Sequence, residues 1–237
     1  MTMPDLKDEY LQAMGVQRWL ARTGTEVLPG NDSVPDTDTP VAEPAAEPAA
    51  LDWAGLEAQV SDCKTCKLHE TRTQTVFGTG NRQADWLIIG EAPGAEEDRQ
   101  GEPFVGPAGK LLTEMLFAVG YGRADVYIAN ILKCRPPGNR NPAPDEVASC
   151  QAYLQQQIAL MQPRLILALG GVAAHNLLQT QEKVGQMRGK LYHYGEADTP
   201  LVVTYHPAYL LRSPLEKRKV WSDLQFAQTV YRQQCTE

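Results

Sequence analysis

Four cysteines in this chain are spaced as a ligand set would be. Cys63 and Cys66 form a C-x2-C pair, Cys134 follows after a long interval, and Cys150 comes soon after it. A C-x2-C turn lets two thiolates converge on one metal or cluster, and two further thiolates complete a four-sulfur site. The bland alternative is a set of ordinary buried thiols. Ligand type does not separate zinc from an iron–sulfur cluster, because both accept four cysteines. Cys235, near the C-terminus, stands apart as a bystander.

A second group of residues carries polar and aromatic chemistry. Gly90-Glu91-Ala92-Pro93-Gly94 directly follows an apolar run. Glycines at a strand end let the backbone approach a ligand, and Glu91 there would face the crevice; a solvated Glu in a terminating turn is the alternative. Phe104, in GEPFVGPAGKLL, is either a loop anchor or a platform for stacking a planar ligand. Asn130 ends another apolar run, and its amide offers both a donor and an acceptor to a nucleobase edge; it could equally cap a strand. After it, Lys133, Arg135 and Arg140 stand among prolines and a glycine, which suits a rigid loop in contact with phosphates or simply a solvated basic loop. His206, in YHPAYLLR, follows a fourth apolar run and is a candidate polar donor. Leu210 and Leu211, beside Arg212, would make an apolar wedge into stacked bases or the core residues of a helix start.

These residues need a scaffold, and the patterning supplies one. Four short apolar runs read as buried strands: Asp85–Gly90, Asp125–Ile131, Arg164–Gly170 and Leu201–Tyr205. Between them lie helical patterns: Leu111 to Val119 after Pro107, then Ala143–Met161 and Gly171–Gln179, with a last helix over about Pro214–Tyr231. Alternating strands and helices predict a three-layer α/β/α domain with a central four-stranded, mostly parallel sheet. Ligands in such sheets bind beyond the carboxyl ends of the strands, where Glu91, Asn130 and His206 all fall.

Composition bounds the rest. The 237 residues are 43% hydrophobic and 22% charged, with 22 Lys+Arg, 29 Asp+Glu and a net charge of −7. At face value that charge argues against a nucleic-acid binder. Its location reverses the argument: residues 1–52 hold 10 acids and 3 bases, and the remainder holds 19 of each. Residues 1–22 form a short amphipathic peptide with Leu6, Tyr10 and Met14 on one helical face. Residues 23–51, rich in Pro, Ala and acids, predict a disordered linker. Residues 52–237 are then the folded domain. No apolar run is long enough to span a bilayer and the N-terminus lacks a secretory pattern, so the expected location is cytoplasmic, where clustered cysteines more often bind metal than pair as disulfides.

Taken together and in order, the cysteine quartet, GEAPG, PFVGPAGKLL, NILKCRPPGNRNP and YHPAYLLR resemble the family-4, iron–sulfur uracil-DNA glycosylases over about residues 56–232. The resemblance implies a uracil-DNA glycosylase-like fold and a monomeric, monofunctional enzyme of base excision repair that flips uracil out of DNA and hydrolyses its N-glycosidic bond. It implies a structural 4Fe-4S cluster on Cys63, Cys66, Cys134 and Cys150. It places Phe104 on the flipped base, Asn130 at its edge, His206 at its carbonyl oxygen, and Glu91 with the Gly90, Ala92 and Gly94 backbone near the sugar and the attacking water. Family-1 enzymes carry an Asp where this chain has Ala92, which leaves Glu91 an electrostatic role. A related branch traps the abasic sugar on a loop histidine; PPGNRNPAP has none, so turnover is expected. The competing reading is an iron–sulfur nucleic-acid-binding or replication-associated module without turnover. YLQAMGVQRWLAR is similar to the N-terminal peptide of the clamp-loader psi subunit, implying a replication partner reached through residues 5–22.

Overall fold

A computed structural model describes residues 52–235; the amphipathic peptide over 1–22 and the linker over 23–51 lie outside the described residues. The chain opens with helix α1 (Trp53–Ser61), whose N-cap Asp52 accepts from the Gly55 N–H at 2.7 Å. A short edge strand β1 (Thr79–Gly80) leads to β2 (Trp86–Gly90), and helix α2 (Ala95–Gln100) ends on Gly101, whose φ of 78° suits a left-handed C-cap. Helix α3 (Pro107–Ala118) begins on proline, where a missing N–H is harmless. Strand β3 (Tyr127–Asn130), helix α4 (Pro144–Met161) and strand β4 (Leu165–Leu169) follow. Helices α5 (Gly171–Leu178) and α6 (Val184–Met187) precede a hairpin of β5 (Leu191–Tyr194) and β6 (Thr199–Thr204). Helices α7 (Pro207–Arg212) and α8 (Lys217–Gln234) close the domain.

The strands form one sheet in the order β1-β3-β2-β4-β6-β5. The central four pair in parallel, and the two edge strands run antiparallel. The expected four-stranded sheet is thus six-stranded. β1 is too short for a periodicity signal, and β5 is a half-exposed hairpin arm, unlike the fully buried runs that announce β2, β3, β4 and β6.

Alternate residues of the central strands feed two cores. Trp86, Ile88, Ile128, Leu167 and Val202 pack under α3 and α8, whereas Leu87, Ile89, Ala129, Ile166 and Val203 pack under α4 and α5. This two-sided cover makes the predicted three layers. Among the described residues no helix is long and apolar enough to cross a membrane.

The chain leaves β2 for β3 on one side, then returns past β2 to β4 on the other. That reversal opens a crevice at the carboxyl ends of the strands. The carboxyl end of β6 is anchored from behind. Arg188 meets Asp223 of α8 with two bonds of 2.7 Å, and Thr204 Oγ1 donates to the same carboxylate at 2.5 Å. The two charged side chains are only 13% and 2% exposed. Removing one partner leaves the other charge buried alone, so Asp223→Ala is expected to lower unfolding stability by about 3–5 kcal/mol, read by chemical denaturation.

Candidate functional site

The crevice holds a cavity of about 570 Å³ whose wall includes Glu91, Gly94, Phe104, Asn130, Arg140 and His206. Four separate stretches of sequence therefore meet at one place. Gly90 and Asn130 are direct neighbours in the parallel register of β2 and β3. A Cβ on Gly90 would stand 2.4 Å from Asn130 Oδ1 and 2.5 Å from Phe104 Cζ. The bare glycine is what lets ring and amide share that corner.

Asn130 is 2% exposed, and its Oδ1 has no hydrogen-bond partner. A buried carbonyl oxygen left open is expensive, of order 1–3 kcal/mol, and the residue that carries it lines the cavity. The group is an acceptor waiting for a donor.

Phe104 is 5% exposed and adopts φ 56°, a left-handed backbone costly for a bulky residue, on the order of 1–3 kcal/mol. Such a conformation persists only where its surroundings over-determine it. Its ring lies 5.5 Å from that of His206, tilted by 31°.

His206 follows β6 and caps α7, and its Nδ1 accepts from the Ala208 N–H at 3.1 Å. An Nδ1 acceptor leaves the proton on Nε2 of a neutral ring. Burial, and then the charge of Arg212, holds its pKa down at about 4. Gly170, at φ 88°, would bring a Cβ within 3.0 Å of the His206 Cβ. The site thus presents an uncharged N–H donor. Glu91 lies on the wall with its carboxyl pushed above the usual range by burial.

The basic and apolar candidates separate. Arg140 and Arg212 line the cavity, while Arg135 Nε donates to Asn139 Oδ1 at 2.7 Å. The Arg140 guanidinium is engaged by Glu146 through bonds of 2.8 and 2.5 Å. Lys133 is a correction: it is 1% exposed, and its Nζ donates to Asn130 O at 3.0 Å and Gln157 Oε1 at 2.6 Å. An ammonium bonded inward is not offered to a phosphate. Leu210 is a second correction, because it is fully buried in the core beneath α3, whereas Leu211 is 46% exposed. Only the latter is free to act as a wedge.

Three residues escaped the sequence reading. Glu97 accepts from Gly94 N at 3.1 Å and from Val105 N and Gly106 N at 3.0 and 2.9 Å; a Glu three residues into a helix is the visible half of a capping box. Asn139 reaches the cavity from the proline-rich loop, and Arg72 donates to Cys134 Sγ at 2.9 Å and Cys63 O at 2.8 Å. Neither carries a local sequence signal.

The four cysteines come from three segments and gather beside the crevice. Cys134 and Cys150 are buried with Leu68 and Leu132, and Cys66 packs against them. Cys63 and Cys66 act electrostatically on Cys134, and Cys134 and Cys63 on Cys150. Burial pushes Cys134 up and Cys150 to about 11, against the opposing charges of Arg72 and Lys133. Among the described residues no three His, Cys, Asp or Glu side chains close around a single ion. The donor set nonetheless fits a sulfur-ligated group: four thiols, an apolar surround, and N–H donors from Arg72 and the Lys133 backbone aimed at Cys134 and Cys150.

The sequence matches the Uracil DNA glycosylase superfamily over residues 77–225. It is 43% identical to a type-4 uracil-DNA glycosylase of Pyrobaculum aerophilum, covering 73% of this chain and 92% of the relative. It is 44% identical to one from Archaeoglobus fulgidus (70% and 86% covered) and 42% identical to one from Thermotoga maritima (67% and 82%).

The His206 geometry has a direct spectroscopic consequence. Its ring should titrate near pH 4 in a proton NMR titration of the folded protein, and a midpoint at or above 6.5 would contradict the buried Nε2–H form. Because the folded value lies below the unfolded one, the unfolded chain takes up a proton first. This ring therefore weakens folding as pH falls from about 6.5 to about 4.

Proposed function

The chain belongs to the type-4 uracil-DNA glycosylases of the uracil-DNA glycosylase superfamily, and from that premise we propose that it releases uracil from DNA by hydrolysing the bond between uracil N1 and the deoxyribose C1′. The observation that carries the reading is the open acceptor Asn130 Oδ1, buried beside an aromatic ring and a neutral N–H donor.

A base inside a duplex is out of reach, so the nucleotide must be extruded into the cavity, at a few kcal/mol for unstacking and unpairing. Phe104 offers the face on which the base stacks. Asn130 Oδ1 accepts the uracil N3–H, and the amide nitrogen donates to the neighbouring carbonyl oxygen. Cytosine presents an acceptor at N3 and an amino donor beside it, so the same amide meets it with both polarities wrong.

As the N1–C1′ bond breaks, its electron pair leaves with the base and the sugar gains positive charge. His206 donates from Nε2 to the uracil carbonyl oxygen where the negative charge collects. A neutral donor suits this task, since it stabilises the anion without holding a proton the base must take. The Glu91 carboxylate faces the developing sugar cation. Water then adds to C1′, and the proton it loses ends, through solvent, on the departed uracil anion, leaving an abasic site and free uracil. With Ala92 where family-1 enzymes have an Asp, Glu91 serves mainly as an electrostatic partner; Asn139 is a second polar group on the cavity wall. Arg135, Arg140, Leu211 and Arg212 would meet the DNA around the extruded nucleotide.

Cys63, Cys66, Cys134 and Cys150 would hold a 4Fe-4S cluster, which supplies a structural crosslink between the α1 end and the loop after β3. Within the same reading, residues 52–237 act as a cytoplasmic, monomeric catalytic domain, and residues 5–22 would dock a replication protein at the end of the linker.

Replacing either donor group tests the chemistry. Asn130→Ala and His206→Ala should each lower uracil release by on the order of 10²–10³-fold, measured as alkali-labile cleavage of a uracil-containing oligonucleotide. Folded variants with unchanged release would overturn the assignment. Protein purified without oxygen should be brown and carry about four iron atoms per chain. Cys150→Ser should lose iron and colour together, and colourless protein with stoichiometric zinc would refute the cluster.

A further inference from the structure

The strained backbone of Phe104 is held by two charged side chains from two other elements. Arg123, in the turn before β3, donates from Nη2 to Pro103 O at 2.8 Å and from Nη1 to Phe104 O at 3.1 Å. Glu97 of α2 accepts from the next two backbone N–H groups, those of Val105 and Gly106. Four consecutive residues, Pro103 to Gly106, each have one backbone group, two carbonyls and then two amides, tied to a charged side chain. Gly109 completes the seat, since a Cβ there would lie 1.7 Å from Phe104 O.

The two charges differ in position. Glu97 lines the cavity, whereas Arg123 lies outside its wall and reaches the loop from behind. Burial works against the Arg123 charge, and the carboxylates of Glu102 and Glu97 favour it. A guanidinium is suited to this arrangement, because its planar fork satisfies two neighbouring carbonyls at once.

We propose that Arg123 is a positioning residue for base capture: by clamping the Pro103 and Phe104 carbonyls it holds the Phe104 ring in the left-handed conformation that presents its face to the cavity. The inference rests on the glycosylase reading above, in which Phe104 stacks on the extruded uracil. Without the clamp the φ 56° conformation loses two of its restraints and relaxes, carrying the ring away from Asn130 and His206. Arg123 itself touches no substrate and acts only through Phe104.

The test is a double-mutant cycle on the full chain, using single-stranded uracil oligonucleotide and measuring kcat and KM for uracil release. Arg123→Met should lower kcat/KM by on the order of 30-fold when Phe104 is present, but by less than about 3-fold in a Phe104→Ala background. A purely structural role would reduce the active fraction equally in both backgrounds, so independent, multiplying losses would overturn the proposal. Arg123→Lys, which can reach one carbonyl but not both, should recover part of the Met variant's loss; Lys performing no better than Met would also count against it. Should the Met variant fail to fold by circular dichroism, the same cycle is run with Arg123→Lys, where a smaller but still Phe104-dependent loss is expected. The wild-type chain in the same assay separates the two readings. Uracil release by wild type with independent losses sinks only the Arg123 role, whereas no release by wild type sinks the glycosylase reading beneath it.

Discussion

The site depends on one point of close approach, the absence of a side chain at Gly90. Parallel pairing sets Gly90 against Asn130, and the Phe104 ring enters from the loop above. A single added carbon would collide with both. The strand register decides which residues end level with each other, and the glycine decides that an amide and an aromatic ring can stand side by side there. The β6 end supplies the third group, with Gly170 giving His206 room from the neighbouring β4.

A second regularity is where the charges sit. The groups read here as touching the base are uncharged: an amide, a phenyl ring and a neutral imidazole. Several charged side chains behind them hold backbone groups or each other. Lys133 holds the Asn130 carbonyl, Glu97 and Arg123 hold the Phe104 loop, and Asp223 with Arg188 anchors the end of β6. In a low-dielectric interior a fixed charge restrains several backbone dipoles strongly, and it remains tolerable only while those partners satisfy it. Neutral groups meet a base at a smaller desolvation cost than charged ones would, while the charges behind them keep them in place.

Legibility in the sequence followed the range of the physical signal. Continuous apolar runs announced the four central strands, a proline start with helical spacing announced α3, and helical patterning announced α4, because burial leaves a local mark. Strands β1 and β5 were not visible: the first is two residues long and the second is half-exposed. Lys133 and Leu210 read as surface contacts because composition around them is basic and exposed in type, yet their neighbours in space draw them inward. Glu97 left half a capping signature; Arg123 left none, since its partners lie about twenty residues back along the chain.

The sequence by itself determined the layer architecture, the family, and the set of residue types available to the chemistry, since strand burial, helix starts and ordered motifs are all local patterns. Only the tertiary structure decided which of those residues meet, which face they show, and in what protonation form. The open oxygen of Asn130, the Nε2–H of His206 and the left-handed seat of Phe104 each depend on contacts between segments distant in sequence. The net charge of −7 belonged to the segment before residue 53, and the domain behind it is balanced. What matters within that balance is where each charge is held, and the folded packing alone sets that.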